Sequence, residues 1–153
     1  MANAVDRVSL NTSFEVNERI NEQIERNIAY FAEHPEEINN RLEVLSREWD
    51  IERILETQAA SITILSVILG TFGNKKWFLV PGIIGGFLLN HSIKGWAPPV
   101  PVLRRLGIRT QGEIERERYA LKALRGDFDH LETANQNSNV TDISQRVIKA
   151  IAN

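Results

Sequence analysis

Two uncharged stretches constrain this chain more than anything else in it. Thr57 to Gly73 reads TQAASITILSVILGTFG, and Trp77 to Ile93 reads WFLVPGIIGGFLLNHSI; with His91 neutral, neither holds a formal charge. Only Asn74, Lys75 and Lys76 separate them. As helices rising 1.5 Å per residue, each measures about 26 Å. That is the short end of what crosses a hydrocarbon core of roughly 30 Å, and Ile51, Ile54 and Leu55 can lengthen the first. A hairpin apolar on every side is best solvated by lipid, because a soluble bundle must cover it with other apolar faces. The remaining stripes, at 14–31, 38–49 and 114–128, are narrow and few. The expected fold is therefore all-α: a two-helix transmembrane hairpin flanked by amphipathic cytoplasmic helices. The competing reading is a soluble helical interaction module with a buried hairpin.

Small residues within the hairpin suggest where backbones approach. Ser66 and Gly70 are four apart in the first segment; Gly82 and Gly86 form G-x-x-x-G in the second, with Gly85 beside them. In lipid, missing side chains let helices pack closely. Whether these positions serve the hairpin itself or a second copy is open from sequence alone. Pro81 falls in the first turns of its helix, where a missing N–H does little harm. Trp77 and Trp96, with Phe72, mark the interfaces, since indole rings prefer headgroup level. On the terminal side lie Arg41, Arg47, Arg53, Lys94, Arg104, Arg105 and Arg109, against Lys75 and Lys76 in the loop. Seven cations against two place both termini inside. Asn90, His91 and Ser92 form a polar membrane patch. It reads either as a functional site in the bilayer or, by preference, as an interfacial patch satisfied by headgroups or by Gln58, Ser61 and Thr63. Glu52 and Glu56 are expected to face water beside Arg53.

After the hairpin comes GWAPPVPVLRRLGIRT, residues 95–110, with three of the chain's five prolines. Pro98, Pro99 and Pro101 forbid helix and push Ala97, Pro98 and Val100 toward extended backbone. Such a strand needs no internal hydrogen bonds where water reaches it. The expectation is an interfacial strap: Val100, Val102, Leu103, Leu106 and Ile108 dip toward acyl chains, while Arg104, Arg105 and Arg109 meet lipid phosphates.

The flanks read as helices. Residues 1–12 are expected to be a flexible start, then Phe14, Val16, Ile20, Ile24, Ile28 and Phe31 make one stripe behind Ser13. His34 is expected to cap a restart at Pro35. Ile38, Leu42, Leu45 and Trp49 continue into one long helix, with room for a kink near Ser46, that runs straight into the hairpin. Thr110-Gln111-Gly112-Glu113 has the form of a capping box, opening a helix closed by Gly126. A polar linker and a short C-terminal helix follow. The domain plan is 1–50 N-terminal amphipathic helical region, 51–96 hairpin, 97–110 strap, 111–130 amphipathic helix, and 131–153 linker and terminal helix.

Composition removes several chemistries. There is no cysteine, so disulfides, thiolate metal sites and cysteine nucleophiles are excluded. A net charge of −2 implies no attraction to nucleic acid. The N-terminal residues lack an apolar h-region, so no cleavable signal peptide is expected. His34, His91 and His130 have no ligand spacing, and no phosphate loop, nucleophile elbow or dinucleotide fingerprint is present. The chain is expected to be no enzyme, with no cofactor and no metal. Arg125-Gly126-Asp127 matches an adhesion tripeptide on paper, a chance match on a helix end.

These elements resemble a bacterial membrane family of unknown function, the YgaP-like transmembrane domain. Its members carry two short membrane helices, the second rich in glycine, then G-x-C-P and a leucine-glycine-threonine run. Here that region reads Gly95-Trp96-Ala97-Pro98, then Leu103, Leu106-Gly107 and Thr110. The likeness covers roughly Glu43 to Phe128, and looks especially like a standalone branch sharing REWDIER, here 47–53, and ERYALKALRGDF, here 117–128. Ala97 stands where the family has cysteine. With no rhodanese domain either, sulfur handling is not expected. The resemblance implies a bacterial inner-membrane location and no established activity. The expected role is a small non-enzymatic membrane subunit that binds a partner or assembles with its own copies, in a homo-oligomer or larger complex. The alternatives are a transporter or pore accessory using Asn90, His91 and Ser92, or the soluble module.

Overall fold

The computed structural model describes residues 7–128. The expected linker and terminal helix at 131–153, and His130, lie outside the described residues. Those residues are helical, with no strand among them: α1 (Arg7–Leu10), α2 (Phe14–Glu33), α3 (Ile38–Arg47), α4 (Ile51–Phe72), α5 (Leu79–Lys94), α6 (Val100–Arg105) and α7 (Gln111–Leu124). Short 3-10 turns, Pro35–Glu37 and Lys75–Phe78, precede α3 and α5. Two compact units divide them, one from residues 7–24 and 48–114, the other from 25–47 and 115–128.

In the first unit, α4 and α5 form a helical hairpin. Leu55 and Ala59 near the start of α4 line the same groove as Leu88 in the later half of α5, so the helices run antiparallel. Phe78 in the turn closes their other end against Gly70: a Cβ added there would lie 3.0 Å from the Phe78 ring. Gly95 ends α5 in the left-handed region, with φ 73°.

Helix α4 does not continue from α3. The expected long helix breaks at Glu48–Asp50 because those residues have better partners elsewhere. Arg109 Nε donates to Glu48 Oε1 at 2.7 Å, and Ile51 N donates to Arg109 O at 3.0 Å. Asp50 is extended, and its carboxylate accepts from Arg53 N at 2.7 Å, capping α4. Trp49 leaves the helical stripe and lies under the Arg53 guanidinium, 4.4 Å from the ring centroid.

The strap is also corrected. Pro98 and Pro99 make a turn, and helix resumes at Val100, with Pro101 in the first turn where a proline is tolerated. Val100 and Leu103 point into the protein. They form a core with Val8, Ile51, Leu55 and Ala97, with Ile54 and Ile108 packed against it. Val102 and Leu106 stay exposed. The short α1 completes this core through Val8, so residues 7–10 are ordered helix rather than part of a flexible start; residues 1–6 of that expected start lie outside the described residues.

The second unit holds the C-terminal part of α2, α3 and most of α7. Ile38, Leu45 and Leu121 are buried, and so is Glu117, which accepts from Arg41 Nε at 2.8 Å and Asn27 Nδ2 at 3.1 Å. Arg118 Nη2 donates to Leu45 O at 3.0 Å. His34 occupies the cap position before Pro35 but makes no side-chain cap. Its Nδ1 instead meets Tyr30 O at 2.9 Å, and its ring stacks on Tyr30. Arg125 is turned onto Asp127, with Nε to Oδ1 at 2.7 Å and Nη2 to Oδ2 at 2.5 Å. This pairing holds the Asp127 carboxyl below its ordinary range and folds the adhesion-like tripeptide on itself.

Candidate functional site: a polar pocket where the hairpin helices leave the apolar segment

The predicted sites do not gather in one place. Ser66 and Gly70 are buried in the hairpin, with Ser66 Oγ donating to Ile62 O of its own helix. Gly82, Gly85 and Gly86 are exposed, and a Cβ added at any of them would meet nothing within 4 Å. The glycine face of α5 therefore does not pack on α4. Trp77 and Trp96 are partly exposed, as the interface reading needs, and Pro98 and Pro99 are exposed beside Trp96; Pro101 is half-buried.

Arg104 departs most from expectation. It is fully buried rather than turned to lipid phosphates. Its Nη1 and Nη2 donate to Glu113 Oε2 and Oε1 at 2.6 and 2.7 Å, a bidentate pair. Nη2 also reaches Asn17 Oδ1 at 2.8 Å, and Nε reaches Thr12 Oγ1 at 3.2 Å. Glu113 is free to do this because it is fixed by the expected capping box: Thr110 N donates to Glu113 Oε2 at 2.8 Å, and Glu113 N to Thr110 Oγ1 at 3.3 Å. Arg109 is likewise buried, on Glu48. Of the three strap arginines only Arg105 is exposed; its backbone oxygen accepts from Arg19 Nη2 at 2.8 Å.

The polar patch is split as well. Asn90 Nδ2 donates to Trp96 O at 2.8 Å, stapling the chain after α5. His91 and Ser92 turn instead toward a cavity of about 300 Å³, where α4 contributes Glu52, Leu55 and Glu56 and α1 contributes Arg7 and Val8. Gln58, Ser61 and Thr63 do not complete the patch; Ser61 Oγ donates to Thr57 O on its own helix. Arg7 Nη1 donates to Ser92 O at 2.5 Å and Ile93 O at 3.3 Å, and Asn11 Nδ2 to Lys94 O at 2.7 Å. These bonds satisfy the last carbonyls of α5.

Two residues that line this cavity each hold one side-chain atom shut off from solvent without a hydrogen-bond partner within the protein: Glu52 Oε2 and His91 Nδ1. Glu52 lies before the first apolar segment. The sequence named His91 and Ser92 but not Glu52, because i, i+4 spacing beside Arg53 suggests a solvated face.

A second groove of about 210 Å³, between α4, α5 and Pro98–Pro99, is almost wholly apolar. No family model, curated protein or solved structure matches this chain. The likeness to the YgaP-like domain accordingly rests on the strings quoted above.

Proposed function

We propose that this chain is a small non-enzymatic integral membrane protein of bacterial inner-membrane type. Its α4–α5 hairpin crosses the bilayer, and both of its termini are on the cytoplasmic side. It acts as a structural or partner-binding subunit through its amphipathic helices. The observation that carries the reading is the exposure of the apolar segments. Ile64 is 62% exposed, Leu79 69% and Phe72 87%, and Ile83, Leu89 and Ile93 are exposed too. Water makes such a surface costly, at about 25 cal/mol per Å², whereas acyl chains match it.

The helical segment that ends at Phe72 is long and apolar enough by composition to span, and most of its apolar part is exposed. Helix α5 has 16 residues, about 24 Å by helical rise. It reaches across only with the 3-10 turn before it or with local thinning of the bilayer. Against the soluble-module reading stands the same exposed surface, which no other described helix covers. The pore-accessory reading draws less support, since Asn90 Nδ2 donates to Trp96 O.

Carbonate extraction of membranes from expressing cells tests the proposal. The chain is expected to remain wholly in the pellet. Recovery in the supernatant overturns the membrane reading.

A further inference from the structure

Among the described residues outside the α4–α5 hairpin, the large apolar side chains more than half exposed are Leu10, Phe14, Val102 and Leu106, at 58% to 77%, and all belong to the first unit. Phe14 heads the apolar stripe of α2, yet Ile20 and Ile24 of that stripe are fully buried, so the stripe faces outward at its start. Helix α6 has two faces: Val100, Leu103 and Arg104 lie inside, and Val102, Arg105 and Leu106 outside, the division that a 3.6-residue period gives. The two exposed pairs are held at one corner. Arg104 reaches Thr12 Oγ1 and Asn17 Oδ1, on either side of Phe14 in the chain, and Arg19 Nη2 donates to Arg105 O. The same corner is tied to the end of α5. Asn11 Nδ2 donates to Lys94 O, and Arg7 Nη1 to Ser92 O and Ile93 O, where the uncharged segment stops.

We propose that Leu10, Phe14, Val102 and Leu106 form a second, shallow membrane contact, seated where headgroups meet acyl chains in the leaflet at which α5 ends. The proposal rests on the hairpin's crossing the bilayer, and it adds α1, the start of α2 and α6 to what touches lipid. Lipid is the occupant for three reasons. The corner is bonded to the last turn of a helix whose own Ile93 is exposed, so it continues a surface that faces acyl chains. Trp96, partly exposed at that level, is an indole where headgroups begin. Lys94 and Arg105 are exposed beside the apolar side chains, placed for lipid phosphates. Interfacial apolar faces sink about 5–10 Å. Exposed Glu15 and Glu18 follow Phe14 along α2, so the contact is one turn deep there, and it needs no anionic lipid. The sequence places Val102 and Leu106 at the interface on an extended strap, but Leu10 in a flexible start and Phe14 in a packing stripe.

The test uses single-cysteine variants of the full chain, which has no cysteine of its own. Each is labelled with an environment-sensitive fluorophore and placed in phosphatidylcholine nanodiscs, where water reaches both faces. Leu10→Cys, Phe14→Cys and Leu106→Cys change exposed side chains, where substitution costs little stability. Iodide reports water; lipid nitroxides carried near the headgroup or near the chain end report depth. All three labels are expected to be quenched more by the shallow nitroxide than by the deep one, and to be protected from iodide relative to Glu18→Cys. Ile64→Cys, exposed midway along the first apolar segment, is the reference for the bilayer itself, and the deep nitroxide is expected to quench it most. Lipid quenching of Ile64→Cys with the three corner labels open to iodide overturns the proposal and leaves the membrane reading standing. Ile64→Cys open to iodide overturns both. Protection from iodide without lipid quenching, lost when each disc holds one chain, shows that a second copy covers the corner and overturns the proposal too.

Discussion

Arg104 shows how one residue can reverse its apparent role. In the sequence it stands with Arg105 and Arg109 beside an apolar segment, which is where phosphate-binding cations belong. In the fold it is buried and spends all three of its nitrogens on Glu113, Asn17 and Thr12. Its distance from Glu113, nine residues, matches no helical pairing period. The pairing therefore becomes visible only when α6 turns the chain back onto the start of α7. Removing one partner of a buried pair leaves the other charge stranded. Arg104→Ala is accordingly expected to cost about 3–5 kcal/mol, measured by denaturant unfolding in detergent. Arg105→Ala, at an exposed side chain one position away, is expected to change stability by about 0.5 kcal/mol or less. Equal effects at the two positions would show that the burial of Arg104 carries no energetic weight.

Among the elements, helices with a strong period and a local cap were readable in advance, and those broken by distant partners were not. The capping box at Thr110 and the Asn74–Lys76 turn are short-range chemistry, visible in four residues. The break at Glu48–Asp50 is set by Arg109, sixty-one positions from Glu48, and no window over 38–55 contains that information. The prolines misled for a related reason. They bar helix behind them, but Pro99 fits the N-cap of α6 and Pro101 its first turn without loss.

Glycines make the contrast measurable. At Gly95 the backbone is left-handed, and an added Cβ would lie 2.5 Å from the carbonyl carbon of Arg7. Gly95→Ala is therefore expected to cost more than the roughly 1–2 kcal/mol of the left-handed conformation alone, and to loosen α1 from the end of α5. Gly82→Ala and Gly86→Ala meet open space inside a helix, so each is expected to stabilise the monomer by up to about 1 kcal/mol through propensity. Thermal unfolding of the three variants checks the order. A destabilised Gly82→Ala would mean that its face is already covered.

For the whole molecule the sharpest consequence concerns sidedness, and the chain is suited to testing it because it has no cysteine. The topology argument counts cations as the chain inserts, before the fold exists. Arg104 and Arg109 therefore still weigh toward the terminal side, although they end up buried on Glu113 and Glu48. The structure supplies exposed positions on each side of the proposed bilayer: Lys75 in the turn between α4 and α5, and Glu18 on α2. Lys75→Cys in intact cells is expected to react with a membrane-impermeant maleimide. Glu18→Cys is expected to react only after the membrane is opened. Replacing the second loop lysine as well, Lys76→Gln in the Lys75→Cys background, removes the remaining cation from the translocated loop and should leave labelling complete. Labelling of Glu18→Cys in intact cells, with Lys75→Cys protected, would invert the topology. Labelling of both would place the two ends of the hairpin on one face, as an interfacial rather than a spanning pair, and would separate the lipid preference of residues 57–93 from the claim that they cross.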